Sequence, residues 1–375
     1  MHIQSTPKAK VLAFAAVAAF AGLTALPALA QPAEVKPAEQ VYKNIIELKG
    51  TPADQIEPTM RFIAASLGVD CNFCHVRDKD ELDDKKAKKD ARKMVAMTLA
   101  INRANFEGNV QVTCFTCHKG SARISGTPPV LESDAAPQPR EQPGTPPPPG
   151  GGRGGPQGPN AEQIIEKYVT ALGGADAIKT VNTRVLTGKI QTRGRESDIQ
   201  LLLKAPNKRI SINKTQNGES VTAFDGKIGW LGNTGRPARV MGTQETDAAG
   251  LDAELQFALR MKQIFQQLRP GRPEKIGDTE CVSLNGIRPN LPPVRLYFDA
   301  NTGLLVRMVR FANTPVGRNP TQIDYADYRE VDGVKMPFRW TLSRPNGRFT
   351  IQVAEVKQNV PVEDSRFVKP EGEAK

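Results

Sequence analysis

Histidine is scarce in this chain. Its 375 residues include only three, and one of them, His2, lies in a segment expected to be removed. A mature chain would keep only His75 and His118, which rules out any centre needing more than two histidines. The chain also lacks a concentrated basic stripe, although its formal net charge is +11. Nucleic-acid binding is therefore not read from that charge. Lys85, Lys86, Lys88 and Lys89 do cluster, but Asp78, Asp80, Glu81, Asp83, Asp84 and Asp90 flank them. The expectation there is a solvated loop and helix start. Cysteine is sparse too, with five residues, and Cys281 has no partner once the other four are assigned. A buried thiol is the expectation for it.

The one long apolar run is Val11 to Thr24, preceded by Lys8 and Lys10. Ala28-Leu29-Ala30 follows as an A-x-A site, so residues 1–30 read as a secretory signal cleaved after Ala30. Retention as a membrane anchor is the alternative, and Pro27 weighs against it. No cysteine follows the site to carry a lipid. The expected location is the periplasm.

The other four cysteines fall in two Cys-x-x-Cys-His runs, Cys71 to His75 and Cys114 to His118, 43 residues apart. This spacing is the attachment signature of haem c: two thiols form thioethers and the adjacent histidine binds iron. Two covalently bound haems c are expected, on Cys71, Cys74, Cys114 and Cys117, with His75 and His118 as proximal ligands. Zinc could use four thiols and two histidines, but the Cys-His adjacency in both copies and the export signal favour haem. The haem propionates would lower the basic charge further.

With no histidine to spare, neither haem is bis-histidine within one chain. The sixth position falls to methionine, to a rarer ligand such as lysine, or stays open. Residues 31–125 contain only Met60, Met94 and Met97. Met60 precedes Cys71 by 11 residues, and Met94 and Met97 precede Cys114 by 20 and 17. Helical methionines are more often core filler, but two haems drawing on so few candidates favour ligands.

Ala91-Arg92-Lys93-Met94-Val95-Ala96-Met97-Thr98-Leu99-Ala100-Ile101-Asn102, followed by Val112-Thr113-Cys114-Phe115-Thr116-Cys117-His118-Lys119-Gly120, resembles the cytochrome c subunit of photosynthetic reaction centres. The resemblance covers about residues 40–125. It implies that the first methionine of the Ala-Arg-x-Met-x-x-Met run, Met94, is a distal ligand, with Met97 as the alternative. It also implies Met60 for the other haem. Reaction-centre members carry four haems, one with a histidine sixth ligand. This chain has two motifs and no such histidine, so the implied relative is a two-haem, non-photosynthetic one.

Three parts follow the signal: a dihaem domain at 31–125, a Pro/Gly-rich linker at 126–160 and a β-rich domain at 161–375. The linker carries Pro147-Pro148-Pro149-Gly150-Gly151-Gly152, which cannot build a core. The haem part reads as helical over Pro37 to Leu48, Pro52 to Leu67 and Lys86 to Phe106. Met94, Met97, Leu99, Ile101 and Phe106 form the apolar side of the third. The last part opens with a helix, Ala161 to Leu172. Alternating runs then follow at 184–191, 198–204, 208–213, 220–224, 294–298, 304–311, 322–328, 338–342 and 349–356. A helix is expected over Leu251 to Leu268. The fold class is multidomain: a mostly α dihaem domain, then an antiparallel β-rich half-barrel of α+β type.

The opening helix of 161–375, with Ala223-Phe224-Asp225-Gly226 and Gly229-Trp230, resembles periplasmic lipoprotein-carrier folds. That resemblance implies a curved sheet around helices, with room for a lipid-like ligand. Trp230 and Trp340 are expected in the core. Asp324, Asp327, Glu330 and Asp332 are expected to be strand-exposed rather than catalytic.

The expected function is one-electron transfer through two His/Met haems, not enzymatic, with a donor and an acceptor redox protein, either of which could be membrane-associated. The alternatives are a haem enzyme such as a dihaem peroxidase, and a lipid-like ligand carrier with a regulatory haem domain.

Overall fold

The computed structural model describes residues 35–124 and 158–370, apart from single positions 193, 217 and 346. The signal segment and most of the linker lie outside the described residues. Among those described, no helix is long and apolar enough to cross a membrane.

The first part is helical. A short helix α1 (Ala38–Val41) leads through turns and a 3-10 turn (Ala53–Gln55) into α2 (Ile56–Leu67). Two one-turn helices, α3 (Cys71–Cys74) and α5 (Cys114–His118), carry the cysteines, with α4 (Lys86–Asn105) between them. Helix α2 stops at Gly68, whose φ of 67° suits the left-handed C-cap. The helix expected over Pro37 to Leu48 is cut to one turn. Asn44 takes a left-handed φ of 57° and Gly50 one of 77°, and these turns fold Leu48 inward while Val41 and Ile46 stay exposed.

The second part starts with α6 (Ala161–Ala171) and α7 (Ala175–Thr180). Asn160 and Gln163 cap α6 reciprocally, and Ile164, Ile165 and Tyr168 form its buried face. The first six strands are β1 (Thr183–Thr192), β2 (Arg195–Lys204), β3 (Lys208–Thr215), β4 (Gly218–Phe224), β5 (Gly229–Asn233) and β6 (Arg236–Val240). Helices α8 (Thr243–Ala253) and α9 (Phe257–Ile264) follow. Then come β7 (Gln267–Pro270), β8 (Glu274–Ile276), β9 (Thr279–Ile287), β10 (Val294–Asp299), β11 (Leu305–Thr314), β12 (Gly317–Val331), β13 (Val334–Arg344) and β14 (Gly347–Gln358).

All pair antiparallel in one fourteen-stranded sheet, ordered β6-β5-β4-β3-β2-β1-β14-β13-β12-β11-β10-β9-β7, with β8 on β9. β6 and β7 remain unpaired edges, so the sheet is an open half-barrel. Its largest core joins α6, α7 and α9 to strands β9 to β13 through residues such as Tyr168, Met261, Leu296 and Phe298.

The nine strand expectations all fall on observed strands. The single helix expected over Leu251 to Leu268 does not form: α8 ends at Ala253, α9 starts at Phe257, and β7 takes the rest. Tertiary bonds hold the break, since Leu255 N–H donates to Pro206 O and the Gln256 side chain donates to Val181 O. Trp230 is buried and donates from Nε1 to Phe367 O at 2.8 Å. Trp340 is half-buried. Asp324 and Asp327 pair with Arg307 and Arg329. Cys281 is buried on β9 as a free thiol, which burial pushes up.

The two parts meet directly. The β11–β12 turn places Val316 in the core of the helical part, beside Phe62, Ile56 and Cys114. Gly317 faces the Phe62 ring so closely that a Cβ there would clash with it.

Candidate haem centres

Each Cys-x-x-Cys run forms one helical turn, which brings cysteines three apart to the same side. In the first, Asp70 is the N-cap and accepts from Phe73 N–H at 3.1 Å. The chain leaves the helix at His75, which is extended at φ −105°, ψ 146°. His75 Nδ1 lies 3.1 Å from the carbonyl of Asp80. In the second, Thr113 and Thr116 form a capping box. His118 Nδ1 lies 2.9 Å from the carbonyl of Ser121.

These two contacts fix the chemistry of both rings. A carbonyl only accepts, so Nδ1 must be the donor in each. The lone pair then sits on Nε2, the nitrogen left to bind iron. This is the usual way a protein orients a metal-binding histidine.

The scaffold around the first histidine comes from α4. Lys88 is buried and donates to Asp80 O at 2.7 Å and Leu82 O at 2.8 Å, and it pairs with Asp83 at 3.2 Å. Arg92 pairs with the other Asp83 oxygen at 2.9 Å and reaches Asn44 O at 3.0 Å. Asn44, Lys88 and Arg92 hold the Asp83 carboxyl below the usual carboxylate range. The expectation of a solvated lysine cluster thus fails for Lys88, and Arg92 is committed to a loop.

The second motif is held from two sides. Asn102 is buried on α4; it accepts from Gln111 and Val112 N–H at 3.1 and 2.9 Å and donates to Val112 O at 2.7 Å. On the other side, Gly120 N–H donates to Ser66 O at 2.9 Å, tying the motif to the end of α2. Gly68 allows that approach, because a Cβ there would strike Gly120 O. The two helix-plus-motif units therefore interlock, α2 against α5 and α3 against α4.

The buried stripe of α4 is Lys88, Val95, Thr98 and Asn102. Met94 and Met97, expected on its apolar side, are 41% and 46% exposed. Met60 is half-buried on α2, beside Ile63 and Leu67. Phe73 and Phe115, inside the two motifs, are exposed as well. Large apolar side chains held outward around a binding motif suit a large apolar partner. None of the four motif cysteines is paired in a disulfide. Among the described residues no three His, Cys, Asp or Glu side chains could hold a metal ion together. The residues present fit haem c.

Sequence reasoning missed Lys88 and Asn102 as site-builders. Their signal was available: positions 88, 95 and 102 are seven apart and share one helix face, and an asparagine inside a helix usually has a specific bond to make.

Paired Cys-x-x-Cys-His turns with Nδ1-anchored histidines on a helical scaffold are the arrangement on which a comparison can be made. Residues 9–127 match the family model described as the photosynthetic reaction centre cytochrome C subunit. The region is thus similar to the family that its motifs resemble. Among solved structures, the chain is similar to a LolA superfamily protein from Nitrosomonas europaea at 13% identity and a TM-score of 0.40, over 56% of this chain and 99% of that one. It is also similar to an outer membrane lipoprotein-sorting protein domain from Vibrio parahaemolyticus, at 9% identity and a TM-score of 0.39, over 54% and 97%.

Proposed function

We propose that this chain is an exported dihaem c-type cytochrome that passes single electrons between protein partners. The observation that carries the reading is the double Nδ1 anchor, which leaves Nε2 of His75 and His118 as iron donors. Cys71 and Cys74 would hold one haem c through thioethers, Cys114 and Cys117 the other. Bound haem c supplies reversible one-electron exchange.

The chain's own part would be to supply the iron donors and their surroundings. Asp80 O and Ser121 O keep the imidazoles in one tautomer. Met60 and Met94 would also hold the haem irons, and a methionine donor at each would favour carriage over catalysis. The periplasm as its place rests on Lys8, Lys10 and the Ala28-Leu29-Ala30 site. The β-rich region would dock a redox partner or a membrane surface.

Magnetic and optical spectroscopy of the purified holoprotein tests the ligands. Met60→Ala and Met94→Ala should each remove the methionine–iron charge-transfer band from one oxidised haem. Met97→Ala should leave both bands. If Met60→Ala and Met94→Ala both keep the full band, the ligand assignment is wrong.

A further inference from the structure

Helix α2 carries two apolar stripes. Thr59, Phe62 and Ser66 form its buried face. Met60, Ile63 and Leu67 form a second, half-buried one with the same spacing. Met60 and Phe62 are two positions apart, about 200° around the helix, so they leave it in nearly opposite directions. The sheet grips the Phe62 side. The β11–β12 hairpin closes over two residues, Pro315 and Val316, with Thr314 opposite Gly317. Thr314 Oγ1 donates to Gly317 O at 2.6 Å and braces the tip. Val316 is wholly buried in the helical core, and Gly317 lies against the Phe62 ring. Buried Asn319 reaches one turn earlier on α2, donating from Nδ2 to Pro58 O at 3.5 Å.

The helix bearing Met94 is held differently. α4 packs on α3 and α5, and among the described residues no strand meets it as β11 and β12 meet α2. The 3-10 turn leading into α2 is also held from the β-rich part, since Asp54 presses against Gly242 at the start of α8. Close-packed contacts transmit a displacement rather than absorb it. The sheet is therefore coupled to the helix of one proposed iron donor, Met60, and has no such grip on the helix of the other.

We infer, on the reading of Met60 as an iron donor, that Gly317 and Phe62 are positioning residues for the first haem centre. The β11–β12 turn fixes the pose of α2 through the Phe62 ring and so keeps Met60 available to the iron that His75 would bind. Met94 is held without the sheet. The β-rich part then has a role in haem ligation that is separate from docking a partner.

Imidazole titration of the oxidised full-length holoprotein, followed optically, tests it. A methionine that is loosely held leaves its iron open for a larger fraction of the time, and the apparent affinity for imidazole rises with that fraction. Met60→Ala and Met94→Ala identify the two haems, each raising the affinity of one. Gly317→Ala, whose Cβ strikes the Phe62 ring, should bind imidazole at least about tenfold more tightly than the parent at the haem marked by Met60→Ala, and as the parent does at the other. Phe62→Leu, which removes the ring atoms facing Gly317, should give about a threefold gain at the same haem. The double variant should lie closer to the parent than either, because the added methyl fills the space that the ring leaves. Equal gains at both haems would mean general loosening and overturn the inference. Parental affinity at the marked haem in folded Gly317→Ala overturns it too, as does a double variant no closer to the parent. Should Gly317→Ala not fold, Phe62→Leu decides alone, by a gain at the marked haem or none. If Met60→Ala changes neither haem, the ligand reading has failed and the positioning role falls with it.

Discussion

At the scale of single residues, the two proximal histidines are anchored alike but not equivalently. Among the described residues the carbonyl that receives His118 Nδ1 has only that ring as a side-chain donor, whereas Asp80 O also receives the Lys88 ammonium at 2.7 Å. A carbonyl already polarised by a cation is a poorer acceptor. His75 then carries less imidazolate character than His118, which disfavours the oxidised iron it would bind. Lys88→Met should therefore lower the potential of the haem at His75 by tens of millivolts and leave the other unchanged. A potentiometric titration that resolves the two haems checks this; equal shifts at both, or none, would refute it. Little of this was legible in the chain. The attachment residues announce themselves by spacing, but Lys88 sits among Lys85, Lys86 and Lys89 and differs from them only in its place on the helix face. A charge run hides one buried member, because burial depends on a loop, residues 76–85, that no periodicity describes.

At the scale of elements, the long strands were readable because each alternates and buries one face. The elements that escaped are short or depend on partners. β8 has three residues, β6 has Arg236 and Arg239 in five, and the break between α8 and α9 is held from Pro206 and Val181. The same dependence governs the start of α8. Asp54, from the 3-10 turn before α2, presses its carboxyl against Gly242, where any Cβ would collide with it. Its Oδ1 is buried without a partner. Burial, and then the nearby Glu245, raise its pKa above the ordinary carboxylate value. The folded state thus holds this proton more tightly than the unfolded chain, so stability falls as pH rises from the unfolded pKa through the folded one. Asp54→Asn removes that loss. The variant should have the higher melting temperature at neutral pH, and the advantage should shrink to nothing below about pH 4. Thermal melts across that range decide it, and a variant less stable than the parent at neutral pH would contradict the burial argument.

At the scale of the whole molecule, the boundary suggested by composition is crossed by packing. Residues 31–125 and 161–375 differ in pattern, and the Pro/Gly-rich stretch between them reads as a spacer. Nothing in either pattern shows that a hairpin turn from one supplies core to the other. Pro315-Val316 looks like an ordinary turn, and Val316 at 0% exposure owes its burial to Phe62, some 250 residues earlier. The contact makes the helical region's stability depend on the sheet. Val316→Ala should cost about 2 kcal/mol, the transfer and cavity cost of two buried carbons. More telling is where the loss registers. Trp230 and Trp340, the only tryptophans, lie in the β-rich region, while the haem absorption band reports the helical one. If the two regions unfold as one body, denaturant titrations followed by tryptophan emission and by haem absorption should give a single midpoint, lowered equally in Val316→Ala. Were they separate bodies, the helical region would lose stability alone, and the emission midpoint would stay where it is in the parent protein.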